Sequence, residues 1–473
     1  MVSKGVQVYS WIAVPGYKVV FTVPKNSVTH SQLHGWSTAD LEIQKGNLVG
    51  LFNFSGFFTW AVSDPSGHVL ATKTNHVNAL TGNLESGDMT SLPAMQSIFV
   101  GVVITFGFYD AGNGEAGLPK RDQCWVTVTP NWANWMGQVA PPGSAAASKP
   151  FTSFVLPSAH DVGMNTMQNA DAILGAASVD SEVFSSITSS FGAVGDAVAA
   201  NLSKTALAGM APDIVSALSI TQKDTLSHIL ATGARYFEFR PAHNSTLFSL
   251  ISPLPDHLYF QHACIPGMAY ADFLSQLVAF LLANPTEIVV FQLRQDGILS
   301  SCAYATPAEK ASYLATALAP AHGSIVPGTL QDMNTLTTDA LRAHGKRLII
   351  LDNANQYSSY GDGNSTLVPG PIVAEFERMT APQAQAHAFT LWQSQATATN
   401  IRDVVIQSVL FANTATSCLM ATKPICDVGT LPWLQANLPR AAAKGRLNVI
   451  MNDFFDGATA DVAIAASRKA LEG

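Results

Sequence analysis

Up to about residue 130 the chain strings together short apolar runs: VQVYSWIAV, YKVVFTV, LVGLFNFSGFFTWAV, HVLAT, IFVGVVITFGFY and CWVTVTP. They are rich in aromatic and β-branched residues, and Gly, Pro, Asn and Asp separate them. No stretch with a 3.6-residue period interrupts them, so they read as strands punctuated by turns. The pattern predicts an antiparallel β-sandwich over residues 1–140. Its longest apolar stretch, SIFVGVVITFGF at 97–108, is too short to span a bilayer and reads as one buried strand.

The texture changes at APPGSAAASKP, where small residues and turn formers lack any hydrophobic period; residues 141–150 are read as a linker. Beyond it, apolar strand-like runs alternate with helical ones. The strands are placed at 153–161, 234–241, 257–262, 287–296, 346–353, 387–394, 404–412 and 447–455. Helices are placed at 270–284 and 307–319 and at the C-terminus. Eight strands with mostly helical connections over 151–473 predict an α/β unit, a (β/α)8 TIM barrel, following the all-β sandwich. A long Ala, Ser, Gly and Val-rich segment, 170–220, is expected to form a mainly helical insertion after the first barrel strand.

Composition narrows the function. The 473 residues are 48% hydrophobic and only 12% charged, with a net charge of −8. A nucleic-acid partner would call for a basic face, and none is expected here. With no transmembrane segment, membrane contact is expected to be peripheral and transient; the compartment, secreted or cytoplasmic, is left open. The five cysteines have no CxxC spacing, which argues against zinc; Cys418 with Cys426, or Cys264 with Cys302, are the pairs able to bridge in an oxidising compartment. His30 and His34 have i,i+4 spacing but no further ligands. Trp36 and Trp60 are weighed as core residues against a platform for a glycan or lipid on the sandwich.

Chemistry enters at the strand ends. A barrel delivers its catalytic groups there, and several of these runs finish in polar residues: His160-Asp161, Glu238-x-Arg240, His262, Arg294, Asp352-Asn353 and Asp453. Two histidines from different strands provide a general base and a general acid. That pair suits a phosphodiester attacked by a neighbouring hydroxyl, with Arg240 offering fixed donors to the phosphoryl oxygens. No GxSxG, phosphate-binding loop or dinucleotide fingerprint stands in a strand-turn-helix context, so serine hydrolases and nucleotide enzymes drop away.

The pieces LPSAHDVG, GARYFEFRP, LYFQHACIPG, NPTEIVVFQLRQDG and VIMNDFF, in that order, resemble the X-type catalytic barrel of phosphatidylinositol-specific phospholipase C, in its bacterial and fungal metal-independent branch. The resemblance implies cleavage of a phosphoinositide-type phospholipid through a cyclic phosphate, without cofactor or metal. His160 would act as base on an inositol hydroxyl, oriented by Asp453 rather than its neighbour Asp456. His262, paired with Asp161, would act as acid on the leaving oxygen. Arg240 would hold the phosphoryl oxygens where calcium-using relatives carry acidic ligands. Arg294, Glu238, Asp352 and Trp392 would form the head-group surroundings, Asp352 standing where the family pattern leads one to look for an arginine. Two other readings are open: a lipid- or glycan-binding, toxin-like protein with a weakly active or inactive barrel, and a metal-dependent phosphodiesterase that chelator would inhibit.

Overall fold

The computed structural model describes residues 4–43, 55–78, 84–111, 121–176, 219–248, 252–379, 381–397, 417 and 419–472. Among the described residues ten strands precede the stretch read as a linker: β1 Lys4–Ile12, β2 Lys18–Val23, β3 Asn26–His30, β4 Trp36–Ile43, β5 Ser55–Ser63, β6 Val69–Asn78, β7 Leu84–Gly87, β8 Ile98–Phe99, β9 Val103–Tyr109 and β10 Asp122–Thr129. They form two five-stranded sheets, in the orders β4-β1-β10-β9-β8 and β3-β2-β5-β6-β7. Their inner faces meet through aromatic pairs, with ring centroids 4.7 Å apart for Trp60 and Phe106 and 5.8 Å for Phe58 and Phe108. Trp60 is fully buried in this core, which removes it as a ligand platform.

Two expectations for these sheets need correction. Pairing is antiparallel except between β1 and β10, which run parallel, so the sandwich is mixed. The apolar run 97–108 is not one strand but the β8–β9 hairpin. Its turn closes with the Val100 N–H donating to the Val102 carbonyl at 2.9 Å, and Gly101 takes φ +79°, a value that glycine adopts without steric cost. Hydrophobicity alone hides such a break because both arms are apolar, although only β9 is fully buried.

After it come β11 Val155–Ala159, β12 Tyr236–Phe239, β13 Pro241–Ala242, β14 Tyr259–His262, β15 Ile265–Ala269, β16 Val289–Leu293, β17 Pro327–Gly328, β18 Leu348–Asp352, β19 Gln356–Ser358, β20 Phe389–Gln393 and β21 Leu447–Asn452. Eight of these make a curled, all-parallel sheet in the order β17-β18-β16-β12-β11-β21-β20-β19. The central strands are buried on both faces, as parallel strands covered by helices must be. The helix Gly457–Glu472 lies along β11, where Ser467 Oγ both donates to the Val155 carbonyl and accepts from its N–H. The helix Tyr270–Ala283 sets Phe273 against Phe237, Phe239 and Phe291.

The sheet is open: β17 and β19, at its two edges, do not pair among the described residues. The run 257–262 does not join it. It supplies β14 of a separate three-stranded antiparallel sheet, β13-β14-β15, and the two short strands β17 and β19 stand in the parallel sheet instead. IPGMA, two residues beyond HLYFQH, is the hairpin partner that this spacing signals. The strand expected at 404–412, Cys418 and most of the 170–220 insertion lie outside the described residues; the helix Gln168–Ala176 opens that segment. Cys264 and Cys302 are both thiols rather than a bridged pair. Among the described residues no helix is long and apolar enough to cross a membrane.

Below the sheet a buried ion pair joins the chain's parts. Arg235, just before β12, and Glu287, just before β16, are both fully buried and 2.8 Å apart. Arg235 also donates to the carbonyls of Trp132, Ala133, Leu230 and Ala234, and Glu287 accepts from the N–H groups of Met136 and Gly137. The stretch 141–150 is held against residues 337–339, with the Gly143 N–H on Asp339 and the Asp339 N–H on the Ala147 carbonyl.

Candidate active site

The C-terminal ends of β11, β12 and β21 and the end of β14 bring His160, Asp161, Glu238, Arg240, His262 and Asp453 together. Beyond Ala159 the ladder makes one more bond, from the His160 N–H to the Asn452 carbonyl at 3.0 Å. The chain then turns: Asp161 takes φ +42° and Phe454 φ +40°, left-handed values that non-glycine residues adopt only when their surroundings hold them. These turns aim the side chains of His160 and Asp453 at each other, and His160 Nδ1 lies 2.7 Å from Asp453 Oδ1. That bond directs His160 Nε2 toward Asp161 Oδ2 at 3.6 Å and Glu238 Oε1 at 3.7 Å.

Asp161 is the hub. Arg240 Nη1 and Nη2 approach its two oxygens at 3.1 and 3.0 Å, a two-point pairing over the ring of Phe260. His262 Nε2 approaches the same Asp161 Oδ2 at 3.8 Å, beyond hydrogen-bond range. The partner expected for His262 is therefore held by Arg240, with His262 close but not directly bonded to it. Strand β14 is tied to Arg240 through the Gln261 N–H, which donates to the Arg240 carbonyl at 3.0 Å. Both imidazoles keep part of their surface open, 19% for His160 and 24% for His262. Both imidazoles thus stand beside one oxygen of Asp161 with part of each ring open.

The two histidines differ sharply in proton affinity. Burial disfavours the His160 imidazolium, but Asp161, the hydrogen-bonded Asp453 and Glu238 together outweigh it and push its pKa up to about 9. For His262 burial dominates; Asp161 opposes it, Arg240 and His160 reinforce it, and the pKa falls to about 4. Burial would raise the Asp161 carboxyl, yet Arg240 and both histidines hold it well below the ordinary carboxylate range. These opposed shifts make His160 the stronger base of the two, so an imidazolium forms there before it forms on His262.

The residues expected around a head group fall out differently. Arg294 forms an ion pair with Glu238 through Nη1 and binds Asp296 through Nη2 and Nε. It is thus engaged at the rim, and Glu238 braces Arg294 more closely than Arg240, whose Nη2 is 3.6 Å away. Asp352, at the end of β18, is exposed and pairs with Lys310 at 2.7 Å. Trp392 does not reach the site: its ring is buried against Phe376 and Trp433, and its indole N–H donates to Asn448. Successive strand residues face opposite sides, so a side chain one position away from an inward one is buried under the helices. Asp456 serves a different purpose, capping Thr459 and pairing with Lys423.

Tyr360 is a neighbour of the site that the pattern of strand ends does not reveal, and Asp296, the last residue of the run at 287–296, is a strand-end carboxylate that this reading passed over. Tyr360, on the loop after β19, is half exposed; its surroundings, then the charges of Asp453 and Asp161, push its phenol up. His160, Asp161 and Glu238 place one ligand atom each within 4.8 Å of one another, close enough to grip an ion. Both carboxylates are already engaged by arginines, which weakens that set as a cation site.

No family model matches the chain, and no curated protein does. Among solved structures it is similar to phosphatidylinositol-specific phospholipase C from Listeria monocytogenes, at 14% identity and a TM-score of 0.40, over 71% of this chain and 98% of that one. A variant of the phosphatidylinositol-specific phospholipase C from Staphylococcus aureus gives 12% identity and a TM-score of 0.40, over 71% and 98%. At such distance the chemistry of this chain has to be derived from its own side chains.

Proposed function

We propose that the chain is a phosphodiesterase of the phospholipase C type, cleaving esters that carry a hydroxyl next to the phosphate, phosphoinositides foremost, by acid–base catalysis between two histidines. The observation that carries this reading is the approach of both His160 and His262 to one oxygen of Asp161, at 3.6 and 3.8 Å, beside the Arg240 guanidinium. We read the open parallel sheet as a (β/α)8 barrel with one unpaired seam, in a catalytic unit at 151–473 that follows a sandwich at 1–140 and a linker at 141–150.

In the proposed reaction the substrate hydroxyl oxygen attacks phosphorus, His160 takes the hydroxyl proton, and the bond from phosphorus to the lipid oxygen breaks as His262 protonates it. The products are a cyclic phosphodiester and a free alcohol. Asp453 stabilises the imidazolium that His160 becomes. Arg240 offers N–H donors to the phosphoryl oxygens; its Nε–H is buried with no acceptor among the described residues.

These roles require the imidazolium to be His262 at the moment of attack, whereas the substrate-free site favours it on His160. A phosphodiester anion arriving beside His262 favours the charged form there, which moves the balance the required way. The pair is productive only while one of its two imidazoles is charged. Below about pH 4 both imidazoles are charged, and above about pH 9 neither is. The expected profile of kcat/KM is a plateau between those limbs, falling on both sides. A rate that declines already near pH 6.5 would show that Asp453 and Asp161 do not hold the His160 proton.

The roles are separated by an ester whose leaving group needs no proton, such as a p-nitrophenyl phosphodiester of inositol, assayed in EDTA. His262→Ala should recover most of its activity on this ester and His160→Ala should not. The opposite result would exchange acid and base, and loss of wild-type activity in EDTA would place a metal in the mechanism.

A further inference from the structure

We propose that Gln222 is a positioning residue for the catalytic pair, its side-chain amide clamping together the exits of the two strands that carry His160 and Asp453. The inference rests on the reading of the site as an acid–base centre.

The observation is the complete use of one buried amide. Gln222 is 1% exposed, and its Nε2 donates to the His160 carbonyl at 2.8 Å and to the Asn452 carbonyl at 3.2 Å. Its Oε1 accepts from the Phe455 N–H at 2.8 Å. One end of the amide thus holds the exit of β11, and both ends hold the exit of β21, above the last rung of the ladder. Thr221 adds a second layer: its hydroxyl reaches the carbonyls of His160 and Asp161 at 3.2 and 3.0 Å, and its own carbonyl accepts from the Phe454 N–H at 2.7 Å.

Those are the two turns that contain left-handed Asp161 and Phe454. Such conformations persist only where neighbours over-determine them, and Thr221-Gln222 supplies the bonds that do so. A displaced His160 would lose the 2.7 Å bond to Asp453, and a misplacement of about 1 Å in a catalytic group costs roughly a hundredfold in rate.

The clamp is anchored in turn by Gln96 and Ser97, which lead into β8 at the edge of the first of the two N-terminal sheets. Asp224 accepts from the Ser97 N–H and hydroxyl at 2.6 and 2.9 Å, and the Gln96 amide donates to the Lys223 carbonyl. The buried Lys223 ammonium pairs with Asp224 and lies over the rings of Phe106 and Trp125. The sandwich thereby takes part in aligning the catalytic strands, through residues 221–224.

The test is Gln222→Met in the full chain, a change close in volume that removes all three bonds. Two readouts are taken: histidine NMR titration, and turnover of an inositol phosphodiester. The expected results are a His160 titration moved by about one pH unit toward the ordinary value, and a kcat lowered roughly a hundredfold with KM little changed. A purely structural role would lower the melting temperature and leave the titration of the folded protein where it was. Should Gln222→Met not fold, Thr221→Val must shift the His160 titration and Thr221→Ser must restore it. A folded variant in which His160 titrates as in the wild type overturns the proposal. A wild-type protein that turns over no phosphodiester defeats the catalytic reading instead, while the titration still decides whether Gln222 positions His160.

Discussion

His160→Ala is expected to lower kcat/KM for an inositol phosphodiester by about a hundred- to ten-thousandfold, the range that a positioned proton acceptor contributes. His160 is the sole side chain among the described residues that touches Asp453, Asp161 and Glu238 together, so no other imidazole can take over its contacts. The fold should survive, because the ladder bond at this position comes from the backbone N–H and the side chain is partly open. Circular dichroism and melting close to the wild type, with the rate loss read on purified protein, would complete the result. Retention of activity within a few-fold would remove His160 from the chemistry. If the protein's biological effect were to persist undiminished, the binding-protein reading would gain the ground.

The second large effect concerns stability. Glu287→Gln should destabilise the protein by roughly 3–5 kcal/mol, since it strips the charge that compensates a guanidinium with no access to water. Burial already lowers the proton affinity of Arg235, and Glu287 is what opposes that pull. Four carbonyls would still accept from Arg235, so a smaller loss, near 1 kcal/mol, would mean that those dipoles rather than Glu287 carry the ion. Urea denaturation of the two proteins distinguishes the cases. Because Arg235 lies at the opposite end of β12 from Arg240, kcat of the folded variant should be unchanged.

The parallel sheet and the grouping at its rim are legible in the sequence because both follow from local pattern. Apolar runs that end in His160-Asp161, Glu238-x-Arg240 and Asp453 announce buried strands with polar exits, and the structure brings those exits together. The misreadings come from non-local facts. Nothing in HLYFQH distinguishes a barrel strand from a hairpin arm until IPGMA is seen to pair with it. Trp392 is displaced from the site by the parity of a single residue, which hydrophobicity cannot supply. The pairing of Arg294 with Glu238 depends on β16 lying beside β12, a matter of strand order. Tyr360 sits in QYSSYGDG, a loop whose composition carries no hint that it borders a charged site.

The same distinction explains the protonation of the pair. From sequence the two histidines are equivalent strand-end imidazoles, each with an acid available. In the structure His160 binds Asp453 and has two further carboxylates within 4 Å, whereas His262 lies 3.8 Å from an Asp161 that is already shared with Arg240. That asymmetry is a property of packing, and it sets the pH limits expected for the proposed activity.

Phosphorus NMR of the first product formed from phosphatidylinositol in the presence of EDTA tests the two-histidine site most directly. The expected spectrum shows a cyclic inositol phosphodiester appearing as diacylglycerol is released, with His160→Ala and His262→Ala each suppressing it. An acyclic phosphate monoester as the first product, or turnover that begins only when a divalent cation is added, would contradict a metal-free attack by the substrate's own hydroxyl.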